Sequence, residues 1–208
     1  MGTRIIESNQ LLLTGVIATP FSFSHEAYGE RFYITYLSIM RFSGNQDLIP
    51  VIVSERLADT SKDLTGEWAR VEGSYRSQNF DANGKRKLVL NAFATSFDVS
   101  GDFEKDDENE VYLEGFVCKK PVYRVTPLGR EVTDILFAVN RPYGKTDYIP
   151  CIFWGRNAKF VSTCEVGAKL IVYGRIQSRE YVKHIEGEVE PEIRTAYEVS
   201  ASKVERGC

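Results

Sequence analysis

The sequence predicts an all-β chain built from two related small barrels in tandem. Three observations support this prediction: short stretches of alternating apolar and polar residues, an acidic segment near the middle of the chain, and a repeat of the same residue types about one hundred positions apart. With 208 residues and 43% hydrophobic side chains, the chain is long enough for two domains of about 100 residues each.

The repeat is visible when the first half is placed on the second with a shift of one hundred positions. Between residues 28 and 53, 7 of 26 positions are then identical, where average composition gives about one or two by chance. After one inserted residue the match continues, and Gly66, Gly73 and Ser77 fall on Gly167, Gly174 and Ser178. Two copies of one fold are therefore expected.

Residues 99–110, VSGDFEKDDENE, have the composition of a solvated linker between the copies. Residues 1–98 carry 10 basic and 11 acidic side chains, residues 99–110 carry 1 and 6, and residues 111–208 carry 15 and 12. We thus predict an N-terminal barrel at 1–98, a linker at 99–110 and a C-terminal barrel at 111–208, with the basic character in the last.

Each copy reads as five short strands with one helix. In the second copy, residue alternation predicts strands at 111–117, 132–139, 148–154, 170–176 and 194–204. Apolar spacing predicts one to two helical turns at 156–164, and the first copy offers 56–64 in the same place. Five strands with a helix between strands three and four are the pattern of the OB-fold, a partly open barrel that binds oligonucleotides or oligosaccharides. Interior glycines suit the bulges that a small barrel needs; these are Gly15, Gly73, Gly115 and Gly174.

Composition argues against several other classes of protein. The four cysteines are far apart, so there is no CxxC pair to begin a zinc site, and two histidines are too few for a metal centre. No nucleophile-base arrangement or phosphate loop is present, so we expect no enzyme activity and no cofactor. Neither a secretion signal nor a stretch of ~20 apolar residues occurs, which favours a cytoplasmic protein.

The second copy has the mixture of side chains that sequence-tolerant binding of single strands requires. Flat rings stack on bases, and cations between them neutralise the phosphates. Alternation places a basic and aromatic ribbon on one side of strand four, and further rings and cations lie on strand three and the turn before it. The predicted site residues are Tyr143, Tyr148, Trp154, Tyr181, Arg141, Lys145, Arg156, Arg175, Arg179 and Lys183.

The first copy lacks three of these rings. The register places Ser43, Leu48 and Ser54 where Tyr143, Tyr148 and Trp154 stand. Weaker candidates remain on this copy, namely Arg41, Arg76, Phe80, Lys85, Arg86 and Lys87. We therefore expect the first barrel to bind weakly or to serve mainly as a scaffold.

Three segments of the second half, 134–160, 166–181 and 195–200, resemble the bacterial single-stranded-DNA-binding protein (SSB) family. In that family aromatic residues on the turn and strands discussed above stack on bases, which implies this role for Tyr143, Tyr148, Trp154 and Tyr181. Since family members usually present four barrels per assembly, the resemblance also implies a homodimer. The family's long tail with an acidic tip has no counterpart in the closing ASKVERGC, so recruitment of partner proteins by that route is not expected.

The resemblance implies binding of single-stranded DNA in replication, repair or recombination, close to the nucleoid. Two other functions remain open at this point. One is a protein–protein adaptor of the primosome type, because a fold does not fix a function. The other is an RNA-binding barrel, which would also use aromatic stacking. Quenching of Tyr148, Trp154 and Tyr181 by an oligonucleotide distinguishes DNA binding from the adaptor, and competition between deoxy- and ribo-oligonucleotides distinguishes it from RNA binding.

Overall fold

The computed structural model describes residues 8–82, 85–183 and 192–207. Within these residues the regular structure is strand apart from one α-helix and one 3-10 turn, which confirms the predicted all-β class with two tandem OB-folds. Barrel 1 comprises β1 (Asn9–Ile17), β2 (Ser22–Ala27), β3 (Glu30–Met40), β4 (Gln46–Ser54), β5 (Trp68–Ala82) and β6 (Lys85–Asp98). Barrel 2 comprises β7 (Glu108–Val117), β8 (Val122–Val125), β9 (Glu131–Asn140), a 3-10 turn (Pro142–Gly144), β10 (Thr146–Trp154), α1 (Gly155–Ser162), β11 (Lys169–Lys183) and β12 (Glu192–Arg206).

Both barrels close through the same strand pairs, and the repeat extends to the register. β1 pairs with β3 at Val16 and Ser38, and β7 pairs with β9 at Phe116 and Ala138, each one hundred positions later. β4 runs parallel to β6, as β10 does to β12. The sequence repeat therefore encodes the strand register as well as the composition.

Apolar side chains at alternate positions along the strands fill the interiors of the two barrels. β3, for example, buries Leu37 and Ile39 and turns Ser38 outward, as expected when one face of a strand packs and the other is solvated. Gly15 and Gly115 lie where strands come closest, since a Cβ would stand 2.5 Å from the Ser38 carbonyl oxygen at Gly15 and 2.3 Å from that of Ala138 at Gly115. No helix in the described part of the chain is long and apolar enough to cross a membrane.

The two barrels share one continuous sheet. β1 pairs antiparallel with β7 from Asn9 opposite Leu113 to Thr14 opposite Glu108. The strand order is β2-β3-β4-β6-β5-β1-β7-β11-β12-β10-β9-β8, so the seam between the barrels lies at the centre of a twelve-stranded sheet.

The helix predicted at 56–64 in the first copy is absent, and this prediction was wrong. The segment between β4 and β5 is turns. The Asp59 carboxylate accepts hydrogen bonds from the Ser61 N–H at 3.3 Å and the Ser61 hydroxyl at 2.6 Å, and Asp63 accepts the Thr65 N–H at 3.0 Å. Such short-range bonds from Asp compete with helix formation. In barrel 2 the helix forms, because Ala158 and Val161 bury its inner face.

The predicted end of the linker needs correction, and each barrel has an additional edge strand. The segment 99–107 joins the barrels, but Glu108 and the two residues after it belong to β7 rather than to a linker. Glu108 accepts a hydrogen bond from Thr14 at 2.7 Å and lies 3.4 Å from Arg70, so its charge has partners on barrel 1. The edge strands β2 and β8 were not predicted; each pairs only with β3 or β9, so the closed barrels keep the five predicted strands and each gains one edge strand outside them.

Candidate nucleic-acid interface

β10 carries two of the predicted rings on its outer side. Ile149, Cys151 and Phe153 are buried, whereas Tyr148 and Trp154 each keep 37% of their surface exposed. The backbone N–H of Tyr148 donates to the Ser77 hydroxyl of barrel 1 at 2.8 Å, which holds this part of β10 against the neighbouring barrel. Two rings on one rigid strand are thus available for stacking.

Trp154 stands at the junction of β10 and α1. Its indole Nε1 donates to the Ser200 hydroxyl of β12 at 3.3 Å, which fixes one edge of the ring against the sheet. The chain then turns at Gly155, whose φ of +53° favours glycine, and Arg156 is exposed in the first turn of α1. An exposed cation therefore follows the ring within two residues.

β11 begins within the barrel and ends as a projecting two-stranded arm with β12. Ile176 is buried, while Arg175 and Gln177 on either side of it are half-buried, in agreement with the predicted alternation. Beyond Ser178 the alternation ends, because the arm has left the barrel and Tyr181 and Val182 are both exposed. Arg179, one of the predicted basic site residues, lies on this arm and is exposed.

Arg41 and Arg141, which were predicted to face the nucleic acid, lie against buried carboxylates instead. The Arg41 guanidinium donates to both carboxylate oxygens of Asp47, with its Nε 2.6 Å from Oδ2. The Nε of Arg141 is 3.0 Å from Oδ2 of Asp147, in an ion pair whose N–H is not directed at the carboxylate. Hydrogen bonding to Asp47 raises the pKa of Arg41, whereas burial raises that of Asp147. Both arginines therefore neutralise interior charge.

The two buried carboxylates reach across to the opposite barrel. Asp47 accepts hydrogen bonds from the backbone N–H and the hydroxyl of Ser178, at 2.6 and 3.0 Å. Asp147 accepts the backbone N–H of Ser77 at 2.7 Å. Each barrel thus supplies a carboxylate to the other at equivalent positions of the repeat.

Arg175 takes part in the same contact. Its guanidinium lies 3.5 Å from Asp47, with 40% of the side chain exposed. Burial and the neighbouring charge of Arg41 lower its pKa. Arg175 therefore faces Asp47 of barrel 1, although the sequence placed it on a ribbon of barrel 2.

The other predicted cations have different positions. Lys145 and Lys87 are exposed. Arg76 lies with its guanidinium carbon 4.3 Å above the ring of Phe93 and donates to the Ser74 hydroxyl. The predictions for the side chains of Tyr143, Phe80, Lys85, Arg86 and Lys183 fall outside what the structure describes.

A groove of about 1120 Å³ runs between the barrels and contains residues that the sequence reasoning missed. Tyr36, Leu48 and Pro50 form its wall on barrel 1, and Tyr181 and Tyr197 on the arm form its wall on barrel 2. Tyr181 is therefore brought to the outer face of barrel 1. Alternation along β3, with Phe32, Ile34 and Tyr36 on one side, was the signal that could have identified this face.

The arrangement is suited to a flexible, negatively charged chain that carries aromatic groups. Exposed rings on β10 and the arm offer stacking surfaces, and Lys145, Arg156 and Arg179 are exposed nearby in the sequence. Among the described residues, no group of three or more His, Cys, Asp or Glu is placed to hold a metal ion.

The sequence is similar to known proteins of one family. The model of the "Single-strand binding protein family" matches residues 108–206. Single-stranded DNA-binding protein B of Bacillus subtilis is 35% identical over 80 residues, which are 35% of this chain and 71% of that protein. A single-stranded DNA-binding protein of Halalkalibacterium halodurans is 36% identical over 80 residues, 35% of this chain and only 48% of that protein.

Solved structures extend the similarity of fold to both barrels. The wild-type single-stranded DNA binding protein from Thermus aquaticus superposes with a TM-score of 0.75 at 22% identity, covering 96% of this chain and 93% of that chain. At this level of identity the similarity shows the fold.

Proposed function

Because this chain belongs to the single-strand binding protein family, we propose that it binds single-stranded DNA without reading its sequence. The observation that carries the proposal is the pair of exposed rings on β10, Tyr148 and Trp154, followed directly by the exposed Arg156. Every base has a π-face, so rings bind any sequence, while cations neutralise the backbone. Such binding would protect strands exposed in replication, repair or recombination, and we propose that the protein acts in the cytoplasm at the nucleoid.

The proposed activity needs no catalytic step. Its residues act by stacking and by charge, and no bond is formed or broken. Binding therefore depends on salt, because each neutralised phosphate releases counterions. For single strands the logarithm of the binding constant falls with the logarithm of the salt concentration, with a slope of about −0.7 for each phosphate contacted.

Fluorescence titration with oligo-dT at two salt concentrations tests this function. We expect quenching of tryptophan fluorescence and weaker binding at high salt. Tyr148→Ala and Trp154→Ala should each lose about 1–3 kcal/mol of binding free energy. Because Trp154→Ala removes the fluorescent reporter, its affinity is measured by competition. Tyr123→Ala is the matched control, because this ring is exposed on β8 of the same barrel but donates to the carboxylate of Glu131.

The outcome of the titration distinguishes the other candidates. Preference for ribo-oligonucleotides would favour an RNA-binding protein. The absence of saturable binding at low salt would contradict the proposal and leave a protein adaptor as the better interpretation.

We also propose that two copies associate, so that one assembly presents four barrels. Partly exposed apolar and aromatic side chains line a concave surface over the seam, among them Leu12, Tyr112 and Tyr173. Burial of such a surface between copies is favourable. Light scattering coupled to gel filtration is expected to give twice the 23.6 kDa of one chain, and a mass of 23.6 kDa would exclude the dimer.

A further inference from the structure

Barrel 1 lacks an aromatic residue at the position of Trp154, which is Ser54, yet rings on the two neighbouring strands lie beside that position. In barrel 2, Trp154 of β10 bonds to Ser200, which pairs with Ile152. In barrel 1 the residue that pairs with Ile52 is Phe93 of β6. Phe93 thus corresponds to Ser200, and Ser54 to Trp154, so the large side chain has moved from β4 to β6.

Phe93 belongs to a row of four flat groups, which we call the aromatic row. The Phe93 and Phe32 ring centroids are 5.6 Å apart at 37°, and those of Phe32 and His25 are 4.9 Å apart at 9°. The Arg76 guanidinium lies over the Phe93 ring, 4.3 Å from its centroid. The four side chains come from β2, β3, β6 and β5, and each is half-buried.

The row lies outside the barrel core, and this favours a binding role. The interior of barrel 1 is filled by fully buried aliphatic side chains such as Leu13, Leu37 and Val53. Phe32 instead shares the outer side of β3 with Tyr36, which opens to the groove between the barrels. The half-buried rings of the row, one of them beneath a guanidinium, keep part of their surface exposed, and aromatic rings combined with arginine are what binding of single strands uses.

The groove continues the row toward barrel 2. Tyr36 and Leu48 face it from barrel 1, and Tyr181 faces it from the arm of barrel 2. Among the described residues that line the groove, the basic ones are Arg41, Lys87 and Arg194, and the acidic one is Glu180. Arg41 is matched by Asp47, so Lys87, which is exposed, contributes accessible positive charge.

We infer that barrel 1 carries a second binding path for single-stranded DNA, formed by the aromatic row and by a groove that the arm of barrel 2 completes. The inference rests on the proposed function. It replaces the expectation that barrel 1 is mainly a scaffold, and it assigns Tyr181 to the path on barrel 1.

Photo-crosslinking of the full chain to a dT oligonucleotide of about 30 residues, substituted with 5-iododeoxyuridine, tests the inference directly. An OB-fold covers about 4–16 nucleotides, so this length is enough for both barrels. We expect adducts on peptides that contain Phe32, Tyr36 or Phe93 in addition to those with Tyr148 or Trp154. Adducts on barrel 2 alone would overturn the second path and leave the proposed function intact, whereas no adducts and no saturable binding would contradict the proposed function itself.

Affinity measurements with variants give an independent test. Phe93→Ser introduces the residue that barrel 2 has at the equivalent position, Ser200. Arg76→Gln likewise introduces the equivalent of Gln177, and this second substitution perturbs packing less than the first. Each is expected to bind the 30-residue oligonucleotide about 5- to 100-fold more weakly, with unfolding by urea checked in parallel. Tyr28→Ser is the matched control, because Tyr28 is fully exposed at the β2–β3 turn and outside the row. Unchanged affinity in both row variants, each shown to be folded, would overturn the inference.

Discussion

Tyr75 is the largest side chain that the structure buries completely, and its hydroxyl has no hydrogen-bond partner among the described residues. It lies on β5 of barrel 1, but the ionisable groups that act on it, Tyr197, Cys151 and Glu198, belong to barrel 2. The equivalent residue of the repeat, Ile176, is also fully buried and has no polar atom. Tyr75 thus places a polar group where the other barrel has an aliphatic side chain.

Tyr75→Phe is expected to stabilise the protein. Burying a hydroxyl without a partner costs about 1–3 kcal/mol, and the substitution removes that group while keeping the ring. Equilibrium unfolding in urea at pH 7 measures the effect. A loss of stability would mean that the hydroxyl is satisfied in solution.

The same residue predicts a dependence on alkaline pH. Burial raises the pKa of Tyr75 well above its usual 10.0, so the unfolded chain loses this proton first. Stability is therefore expected to fall as the pH rises above about 10, and less steeply in Tyr75→Phe. Some slope should remain in the variant, because burial also raises the pKa of Tyr197 to about 12.

At the scale of elements, the repeat made much of the fold predictable. Period-two alternation located the main strands, and matched glycines such as Gly15 and Gly115 marked the points of close approach. The helix at 56–64 failed because its apolar residues, including Leu57 and Leu64, pack against the core from turns that Asp59 and Asp63 stabilise. Side chains that bond two residues ahead decide between helix and turn, and hydrophobic spacing does not detect them.

The candidate site was predictable only in part. The rings on β10 follow from alternation, and the structure leaves Tyr148 and Trp154 exposed as expected. The aromatic row was missed, because comparison of equivalent positions cannot detect a ring that has moved to a neighbouring strand. Arg41 and Arg141 were assigned to the nucleic acid because the sequence does not show that Asp47 and Asp147 are buried beside them. Sheet pairing and packing between the barrels bury these carboxylates.

Closure of the barrels depends on the glycines at close approach. In Gly115→Ala the new Cβ would stand 2.3 Å from the Ala138 carbonyl oxygen and 3.2 Å from the Phe137 ring. Because the obstacle is backbone, we expect a loss near the upper end of overpacking effects, about 3 kcal/mol, with faster hydrogen exchange in the closing pair of β7 and β9. Gly44→Ala is the control: nothing lies near its Cβ, so only the positive φ of +81° costs energy, about 1–2 kcal/mol. Equal losses in the two variants would contradict the steric explanation.

Over the whole molecule, the barrels are connected by backbone and by buried charge. The pairing of β1 with β7 makes one sheet, and Asp47 and Asp147 each bond to a serine of the opposite barrel. The side chains of both carboxylates are at most 1% exposed, so loss of either would leave an arginine uncompensated in the interior. These contacts make each barrel depend on the other for the satisfaction of buried groups.

We therefore expect the two barrels to unfold together. The chain has two tryptophans, Trp68 on barrel 1 and Trp154 on barrel 2, so Trp154→Phe and Trp68→Phe variants report one barrel each. Urea unfolding followed by the two reporters should give coincident midpoints.

Adding Asp47→Asn and Asp147→Asn should cost about 3–5 kcal/mol for each buried pair and separate the midpoints, because the barrels then lose their reciprocal contacts. Asp134→Asn removes an exposed partner of Arg124, 2.8 Å away, and should cost at most about 1 kcal/mol and keep the midpoints together. Separate midpoints without the Asp substitutions would mean that the seam contributes little, and that each barrel is stable by its own core.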